Sequence, residues 1–451
     1  MTEDHFPPTF IKRMQASLGQ HWNDFFAAHQ EPSTISIRTN PFKSTKEISA
    51  ISIPWAKYGR YLSERPSFTL DPTFHAGSYY VQEASSMFLE QAFTQTVDPD
   101  KALNVLDLCA APGGKSTHLL SLMNQHSLLV SNEVIQSRAS VLAENIQKWG
   151  HCNAVVTNND PKDFQRLQGF FDVIVVDAPC SGEGLFRKDA NAMKEWSEDN
   201  VALCSQRQQR ILHDVWPSLK TGGLLIYSTC TYNEDENEQN LKWLKEEFQV
   251  ESVPLKVDDK WGIVEVEQNS IKGYRFFPHR VQGEGFFISV VRKVNDQAEA
   301  RLNTKNTFAE PSTNIKSRLS EWILQPEEKK FINRNDRFQF FPKNKTQEIE
   351  FLAKNLHLLS AGTYVATAKH DKLIPEHAMA LSIELNRANF NLIALEAPEA
   401  LQYLRKDVLT SIPHQKGFSL IVFENIPVGW VNVLDNRMNN LYPSEWRIRI
   451  R

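Results

Sequence analysis

The centre of this chain alternates short apolar runs with segments of helical pattern, and this alternation constrains the fold more than any other feature. The runs of strand length are residues 104–108, 128–132, 154–158, 172–176, 224–228 and 285–291. Residues 134–149, between the second and third runs, carry apolar side chains close to helical spacing. Strands that alternate with helices predict a parallel sheet covered by helices. The sequence therefore predicts an α/β domain over residues 101–294.

The chain is too long for this domain alone. At 451 residues it exceeds a single hydrophobic core, so two or three domains are expected. Residues 1–100 form a mixed N-terminal extension, residues 295–320 read as a polar linker, and a second hydrophobic segment occupies residues 321–451. Residues 446–451 alternate basic with apolar side chains, which predicts an edge strand with one cationic face.

Composition limits the class of protein. Apolar residues make up 41% and charged residues 23%, as in ordinary soluble globular proteins. Five cysteines give no even disulfide framework and favour a reducing compartment. The start is acidic rather than shaped like a signal peptide, and no apolar stretch approaches the roughly 20 residues that span a bilayer. These features predict a cytoplasmic protein with no membrane partner. The net charge of -4 disfavours a globally basic nucleic-acid binder but leaves room for a local basic groove.

Two cysteines lie in short loops that directly follow predicted strands. Cys180 belongs to Asp-Ala-Pro-Cys-Ser-Gly at 177–182, and Cys230 to Ser-Thr-Cys-Thr at 228–231. Because ligands gather at the carboxyl ends of strands in open α/β sheets, two thiols there suggest covalent chemistry. Residues 231–234 have capping-box form and predict a helix that begins directly after Cys230. Its amino terminus would favour a thiolate, whereas the acidic residues 234–236 in its first turn would oppose one.

A glycine-containing turn follows the first predicted strand. It consists of Cys109, Ala110, Ala111, Pro112, Gly113, Gly114 and Lys115. A strand, a tight turn and a helix let backbone amides approach a ligand closely. A P-loop requires glycine where Cys109 stands, and no GxGxxG fingerprint is present. The turn therefore favours a ligand without a polyphosphate, such as an adenosine compound that carries an amino-acid tail.

Three acidic residues end successive predicted strands. Glu133 follows the second strand at the place where a carboxylate would accept the ribose hydroxyls, Asp160 follows the third near an expected adenine edge, and Asp177 closes the fourth. Each alone is compatible with a solvated carboxylate or a helix cap. Together with the turn they favour S-adenosylmethionine. No CxxC spacing or His/Cys cluster occurs, so no metal site is predicted, and Cys152 and Cys204 are expected to be small buried hydrophobic residues.

The motifs at 109–115, 177–182 and 228–231 resemble those of the NOL1/NOP2/Sun family of RNA cytosine-5 methyltransferases. The resemblance runs through most of residues 38–291. Residues 182–189 resemble the bacterial small-subunit ribosomal RNA enzymes of the F type, and residues 441–443 with Arg447 resemble their PUA-like module. The resemblance implies a Rossmann-like S-adenosylmethionine-dependent methyltransferase domain between an N-terminal RNA-binding extension and a C-terminal RNA-binding region with a PUA-like module.

The resemblance also implies a role for each motif residue. Residues 109–115, Glu133, Asp160 and Asp177 would hold S-adenosylmethionine. Cys230 would be the nucleophile, Cys180 would help to release the product, and Asp177 would also touch the target base. Residue types alone leave the choice of nucleophile open, because DNA cytosine-5 methyltransferases use a Pro-Cys nucleophile, which would nominate Cys180.

The implied product is 5-methylcytosine in RNA, with 16S ribosomal RNA or the small ribosomal subunit as the expected partner. The alternatives are the same chemistry on transfer RNA or another ribosomal site, and a non-catalytic RNA-binding assembly factor. The target cytosine must be unpaired or able to flip out of its stack. The residues expected to contact phosphates are Arg38, Lys43, Arg187, Lys188, Arg275, His279 and Arg280.

Overall fold

The computed structural model describes residues 6–43, 50–302, 308–409 and 415–450. The predictions for the acidic start at 1–5, for linker residues 303–307 and for the terminal Arg451 lie outside the described residues.

The N-terminal part combines a helical hairpin with a small antiparallel sheet. Its elements are α1 (Pro8–Leu18), α2 (Trp22–Ala28), β1 (Ile35–Thr39), β2 (Ile51–Ser52), β3 (Gly59–Leu62), α3 (Pro72–His75), β4 (Tyr79–Val81) and α4 (Leu89–Thr94). The four strands pair in the order β2-β3-β1-β4.

The central part carries the predicted alternation. Its elements are β5 (Asn104–Asp107), α5 (Gly114–Leu122), β6 (Leu128–Asn132), α6 (Gln136–Trp149), β7 (Ala154–Thr157), β8 (Phe171–Asp177), α7 (Ala190–Glu195), α8 (Glu198–Val215), β9 (Leu219–Thr229), α9 (Glu238–Glu247), β10 (Val250–Ser252), β11 (Val264–Gln268), β12 (Ile271–Phe276) and β13 (Phe286–Lys293). Each of the six predicted strands overlaps an observed one.

The C-terminal part adds two further four-stranded sheets. Its elements are α10 (Thr313–Ser320), β14 (Lys329–Arg334), β15 (Arg337–Pro342), α11 (Thr346–Asn355), β16 (Leu358–Ala361), β17 (Thr363–Lys369), β18 (Lys372–Pro375), α12 (His377–Ala380), β19 (Asn391–Ala394), α13 (Ala397–Arg405), β20 (Gly417–Phe423), β21 (Ile426–Val433) and β22 (Met438–Asn440). The sheets pair in the orders β14-β15-β17-β18 and β19-β20-β21-β22.

The central sheet confirms the predicted α/β class. Its parallel core has the order β7-β6-β5-β8-β9, and β13, β12 and β11 continue it in antiparallel fashion beyond β9. Because β5 pairs with both β6 and β8, the strand order reverses on either side of it. Ligands in such sheets bind outside the carboxyl ends of the strands at this reversal. The fold therefore places a site beside the loop that follows β5.

Both faces of the central sheet are buried. Val105, Leu129 and Val173 point to one apolar cluster, while Leu106, Val130 and Ile174 point to the other. Alternate residues of a strand face opposite sides of a sheet, so strands covered on both faces read as the continuous apolar runs found in the sequence.

The predicted helix directly after Cys230 is wrong. The helix, α9, begins at Glu238, and residues 231–237 form a loop. The hydroxyl of Thr231 accepts a hydrogen bond from the amide of Asn233, and the side chain of Asn237 donates to the carbonyl of Thr231. These local bonds satisfy the backbone without a helical turn, so α9 does not begin beside Cys230.

Residues 295–320, predicted as a linker, include the helix α10, which Ser312 caps through the amide of Ile315. The predicted edge strand in the C-terminal tail is wrong. The described part of the tail forms no strand. Instead, the amide of Ile448 bonds the carbonyl of Leu404 at the end of α13, and Trp446 packs edge-on against His377.

Candidate functional site

Cys180 and Cys230 lie next to each other at the carboxyl edge of the central sheet. Their loops follow β8 and β9, which are parallel neighbours, and their Sγ atoms are 3.1 Å apart. The two sulfurs are close enough for either thiol to donate a hydrogen bond to the other. The predicted convergence of the two motifs is therefore seen in the structure.

The loop that carries Cys180 is fixed by a buried carboxylate. Glu236 accepts hydrogen bonds from the amide and the hydroxyl of Ser181, and from the side chain of Gln208 at 3.1 Å. Gln208 also donates to the carbonyl of Pro179 at 2.9 Å. Burial raises the pKa of Glu236 to about 6. Glu236 was predicted only as an acidic residue in the first turn of a helix, and its position beside the cysteine loop was not predicted.

The backbone beside Cys230 leaves no room for a side chain at position 184. The amide of Gly184 donates to the carbonyl of Cys230 at 2.9 Å, and a Cβ at Gly184 would lie 2.8 Å from that carbonyl oxygen and 2.4 Å from the carbonyl of Gly285. Glycine at 184 thus allows the short 3-10 helix Glu183–Leu185 to approach the Cys230 loop. This backbone contact, like the contact between the two sulfurs, links the Cys180 loop to the Cys230 loop.

Asp177 forms an ion pair beside the thiols. Its carboxylate lies 2.7 Å from the Lys115 ammonium and accepts a 2.8 Å hydrogen bond from the hydroxyl of Ser228. Burial alone would lower the pKa of Lys115, but the negative charges of Asp177 and Asp107 outweigh it and raise that pKa. Lys115 therefore stays cationic and fixes Asp177 at the end of β8. Lys115 was predicted as part of the cofactor turn, and its ion pair with Asp177 was not predicted.

The glycine turn joins β5 to α5 as predicted. Gly113 has a φ of 116°, a conformation that favours glycine, and it immediately precedes α5. Two side chains of α6 hold the turn, because Arg138 donates to the carbonyl of Ala111 and Asn145 donates to the carbonyl of Pro112. The turn is thereby pinned between two helices.

Asp107, the last residue of β5, was missed by the sequence analysis. It is fully buried, and one of its oxygens accepts from the hydroxyl of Ser116 at 2.6 Å. Its Oδ1 has no hydrogen-bond partner among the described residues. Burial raises the pKa of Asp107 to about 7. Buried polar atoms are almost always bonded, so this oxygen at the turn is suited to accept a hydrogen bond from a bound ligand.

Glu133 and Asp160 occupy different positions. Glu133 is buried at the end of β6, where it accepts from the amide of Ile135 and lies 3.4 Å from Arg138. Asp160 caps the 3-10 helix Pro161–Arg166 through the amide of Lys162 and lies 3.8 Å from Arg210. Asp160 therefore stands beside the site rather than on its wall.

A cavity of about 450 Å³ opens between these loops, within the size range of small-molecule sites. The predicted site residues on its wall are Cys109, Ala111, Glu133, Asp177, Cys180 and Cys230. The predicted residues behind or beside the wall are Ala110, Pro112, Gly113, Gly114, Lys115 and Asp160. A larger cavity of about 700 Å³ lies at the opposite edge of the sheet, against residues 124–126 and 151–153, and contains none of the predicted site residues.

The thiols at the cavity differ in their surroundings. Burial, followed by the charge of Asp107, raises the pKa of Cys109 far above its ordinary value. The hydrogen bond with Cys230, followed by burial, raises the pKa of Cys180 well above its ordinary value. Both Cys109 and Cys180 are thus held as neutral thiols at physiological pH. A neutral Cys180 can donate its proton toward the sulfur of Cys230.

Several basic residues that were predicted to contact phosphates are instead bonded to other residues inside the protein. Arg38 is fully buried and bonds Gln82 and Thr117, so that prediction is wrong. Arg187 and Arg275 form buried ion pairs with Glu284 and Glu238. Of the other residues predicted to contact phosphates, Lys43 donates hydrogen bonds to backbone carbonyls and His279 is half-buried. Lys188 and Arg280 are exposed.

Two further properties concern the described residues as a set. No helix in 6–43, 50–302, 308–409 and 415–450 has the length and apolar character needed to cross a bilayer. The same ranges contain no group of three or more His, Cys, Asp or Glu side chains arranged to hold a metal ion.

Three sequence models of known families match the chain. Residues 94–292 match the 16S rRNA methyltransferase RsmB/F family, and residues 6–84 match the N-terminal domain of 16S rRNA methyltransferase RsmF. Residues 390–448 match the RsmF methyltransferase PUA domain. The matches therefore extend from the N-terminal helices to the last sheet.

Whole-chain relatives agree with these matches. Ribosomal RNA small subunit methyltransferase F of Enterobacter sp. strain 638 is 30% identical, over 98% of this chain and 95% of the relative. The protein of the same name from Shewanella oneidensis is 30% identical, over 97% and 96%. A methyltransferase homologue from Pyrococcus horikoshii of known structure is 28% identical with a TM-score of 0.51, over 64% of this chain and all of that one.

The cavity also suits the methyl donor of such enzymes, S-adenosylmethionine. That ligand carries a sulfonium and an ammonium, and the cavity supplies the carboxylates of Glu133 and Asp177 together with the unpartnered oxygen of Asp107 behind the turn. Opposite charges and unsatisfied acceptors at one place favour a cationic ligand. The chain belongs to the ribosomal RNA small subunit methyltransferase F family and is an S-adenosylmethionine-dependent methyltransferase of ribosomal RNA.

Proposed function

We propose that this enzyme methylates carbon 5 of a cytosine in 16S ribosomal RNA, with Cys230 as the covalent nucleophile. The observation that carries the proposal is the 3.1 Å separation of the Cys180 and Cys230 sulfurs on the wall of one cavity. Two thiols serve different steps of cytosine-5 methylation, whereas methylation of a nitrogen or a ribose hydroxyl needs neither.

The chemistry requires temporary addition to the ring. Carbon 5 of cytosine is a weak nucleophile, and a thiolate that bonds to carbon 6 turns the ring into an enamine whose carbon 5 can form a new bond. S-adenosylmethionine, when bound, supplies the methyl group. A base then removes the hydrogen from carbon 5, its electron pair restores the ring double bond, and the bond between sulfur and carbon 6 breaks.

The surroundings of the two thiols support different roles for Cys180 and Cys230. The two sulfurs are within hydrogen-bonding distance, so a thiol at Cys180 can donate to a thiolate at Cys230 and stabilise it. The cationic Lys115 also attracts negative charge on Cys230. We therefore assign the addition to Cys230 and assistance in product release to Cys180.

Asp177 suits the position of the base-contacting residue. It lines the cavity between the cofactor turn and the thiols, and Lys115 and Ser228 hold its carboxylate in place. A hydrogen bond from this residue to the ring would stabilise the electron-rich intermediate. Residues 109–115, Glu133, Asp160 and Asp177 would hold the cofactor.

The substrate assignment follows the family. Relatives named for the small subunit match 97–98% of the chain, and the last sheet matches a PUA domain. We propose the small ribosomal subunit or its 16S RNA as partner, and the cytoplasm, where bacterial ribosomes are assembled, as the site of action. The target cytosine would leave its stack to reach the thiols.

Two variants test the mechanism. With 16S RNA transcript and S-adenosylmethionine, Cys180→Ala should accumulate a covalent protein–RNA adduct on denaturing gels, and Cys230→Ala should form none. The reverse pattern would exchange the two roles. Bisulfite mapping of 16S RNA from cells with and without the protein should reveal one cytosine whose methylation depends on it; an unchanged map would overturn the proposal.

A further inference from the structure

One arginine on the wall of the catalytic cavity is not engaged by any side chain of the described part of the protein. Arg207 lies on α8, is exposed, and lines the cavity together with Cys180 and Leu185. No hydrogen bond or ion pair within the described ranges engages its guanidinium. Such a group provides a planar fork of donors that matches the oxygens of a phosphate.

Neighbouring residues of α8 fix the position of Arg207 along the cavity. Gln208 donates to the carbonyl of Pro179, so this turn of α8 packs against the Cys180 loop. Arg210, three residues further on, lies 3.8 Å from Asp160, which follows β7. Residues three apart share a side of a helix. Arg210 therefore stands toward Asp160, and Arg207 stands toward the thiols.

The charged residues of the cavity distinguish Arg207 from the other basic side chains there. The cavity wall carries the acidic residues Glu133 and Asp177 together with the basic residues Arg138, Arg207 and Arg210. Lys115 is paired with Asp177, and Arg138 lies 3.4 Å from Glu133 and also donates to the turn. Among the described residues of the cavity wall, Arg207 is thus the arginine whose guanidinium has no carboxylate partner, since Arg210 lies 3.8 Å from Asp160.

We propose that Arg207 binds a phosphodiester next to the cytidine whose base enters the cavity. The inference rests on the proposed function and adds a substrate-contacting residue to it. By holding the backbone at the entrance, Arg207 would keep the extruded nucleotide beside Cys180 and Cys230. The carboxylate of S-adenosylmethionine is a less suitable partner, because the cofactor turn with its backbone amides lies on the other side of Asp177, after β5.

The test measures RNA binding and cofactor binding separately. Wild type, Arg207→Ala, Arg207→Lys and the control Arg318→Ala, an exposed arginine of α10, are titrated with a single-stranded oligoribonucleotide of about 12 residues that contains one cytidine. We expect Arg207→Ala to weaken RNA binding about 10-fold and to reduce the slope of log K against log salt by about 0.7. Arg207→Lys should retain most of the slope, and Arg318→Ala should match wild type.

Calorimetric titration with S-adenosylmethionine provides the second readout. An unchanged cofactor Kd in Arg207→Ala supports the proposal. Loss of cofactor affinity with unchanged RNA binding would assign Arg207 to the cofactor carboxylate, and unchanged RNA affinity and salt slope would overturn the proposal directly. These binding readouts do not depend on which atom is methylated, so they are distinct from a failure of the cytosine-5 chemistry.

Discussion

At the residue scale, the site depends on buried carboxylates that the protein leaves partly unsatisfied. Asp107 ends β5 with one oxygen bonded to Ser116 and the other without a partner among the described residues. An unsatisfied buried charge destabilises the folded state, and a ligand that satisfies it recovers this free energy on binding. Asp107 therefore couples the stability of the turn to occupancy of the site.

This coupling has a defined pH dependence. Burial raises the pKa of Asp107 from an ordinary value near 3.8 to about 7, so the folded state binds the proton more tightly than the unfolded chain. The stability contribution of this group consequently falls as pH rises from about 4 to about 7. Without cofactor, Asp107→Asn should raise the free energy of unfolding at pH 8 by about 1–3 kcal/mol, with a smaller gain at pH 5.

Urea unfolding at the two pH values measures this effect, with Asp100→Asn at an exposed position as the control. The same Asp107→Asn variant should bind S-adenosylmethionine about 10-fold more weakly, because an acceptor for its cationic groups is lost. A change in the free energy of unfolding that is the same at pH 5 and pH 8, or a loss at pH 8, would contradict the assignment.

Glu236 offers a second test at this scale. The amide and the hydroxyl of Ser181 donate to different oxygens of Glu236, and a glutamine would place an NH2 donor at one of these two positions, so Glu236→Gln should loosen the Cys180 loop. We expect kcat to fall about 10- to 100-fold, with accumulation of the covalent RNA adduct and an unchanged cofactor Kd. Exposed Glu234→Gln is the matched control. A loss of kcat without adduct would argue against a link between this loop and product release.

Some residues of the site could be predicted from the sequence and others could not. The cysteines and the glycine turn could be predicted because they directly follow apolar strands. Neighbouring residues in the sequence are enough to reveal this placement. The burial of Glu236 beside exposed Glu234 was not predictable, since both stand in one acidic run and only the distant partners Ser181 and Gln208 distinguish them. Arg38 was misassigned for the same reason, because its buried partners Gln82 and Thr117 are 44 and 79 residues away.

At the scale of elements, α1 is attached to the catalytic loops through a buried carboxylate. Arg13 of α1 lies 2.6 Å from Glu183, whose side chain is fully buried and also accepts from Trp196 and Asn233. Glu183 begins the 3-10 helix whose next residue, Gly184, contacts Cys230. The N-terminal hairpin thus contributes to the position of the nucleophile's loop.

Removing the arginine tests this attachment. Arg13→Ala should lower the free energy of unfolding by about 1–2 kcal/mol, less than for a fully buried pair because Arg13 is 30% exposed. Arg13→Ala with Glu183→Gln should be more stable than Arg13→Ala alone, since the uncompensated charge is gone. Chemical denaturation of these variants beside Lys12→Ala, an exposed neighbour, measures the effect. Equal stability of Lys12→Ala and Arg13→Ala would contradict it.

Element prediction succeeded where the pattern was long and failed where local hydrogen bonds competed with it. The strands of the parallel core are buried on both faces and read clearly in the sequence. The helix after Cys230 was placed too early because Thr231 and Asn237 bond the loop instead of capping a helix. Capping residues and turn residues are the same types, so composition does not separate the two outcomes.

At the scale of the whole molecule, the central sheet does not end with the predicted catalytic region. Strand β16, from the C-terminal part, pairs with β7 in antiparallel fashion and extends the sheet. The buried ammonium of Lys345 also donates to Asn104 at the start of β5. The sequence could not predict this, because pairing between residues about 200 positions apart leaves no local pattern.

The shared core makes the stability of the site depend on the C-terminal part. Leu352 of α11 is fully buried in the same apolar cluster as Leu106 and Ile174 of the central sheet. Leu352→Ala should lower the free energy of unfolding by about 2–5 kcal/mol, whereas Leu392→Ala at a half-exposed position should change it by less than about 0.5 kcal/mol. Circular dichroism and retention of S-adenosylmethionine, followed through one denaturant series, should shift together in Leu352→Ala. A separate early transition that leaves cofactor binding intact would instead show that α11 and the catalytic sheet unfold independently.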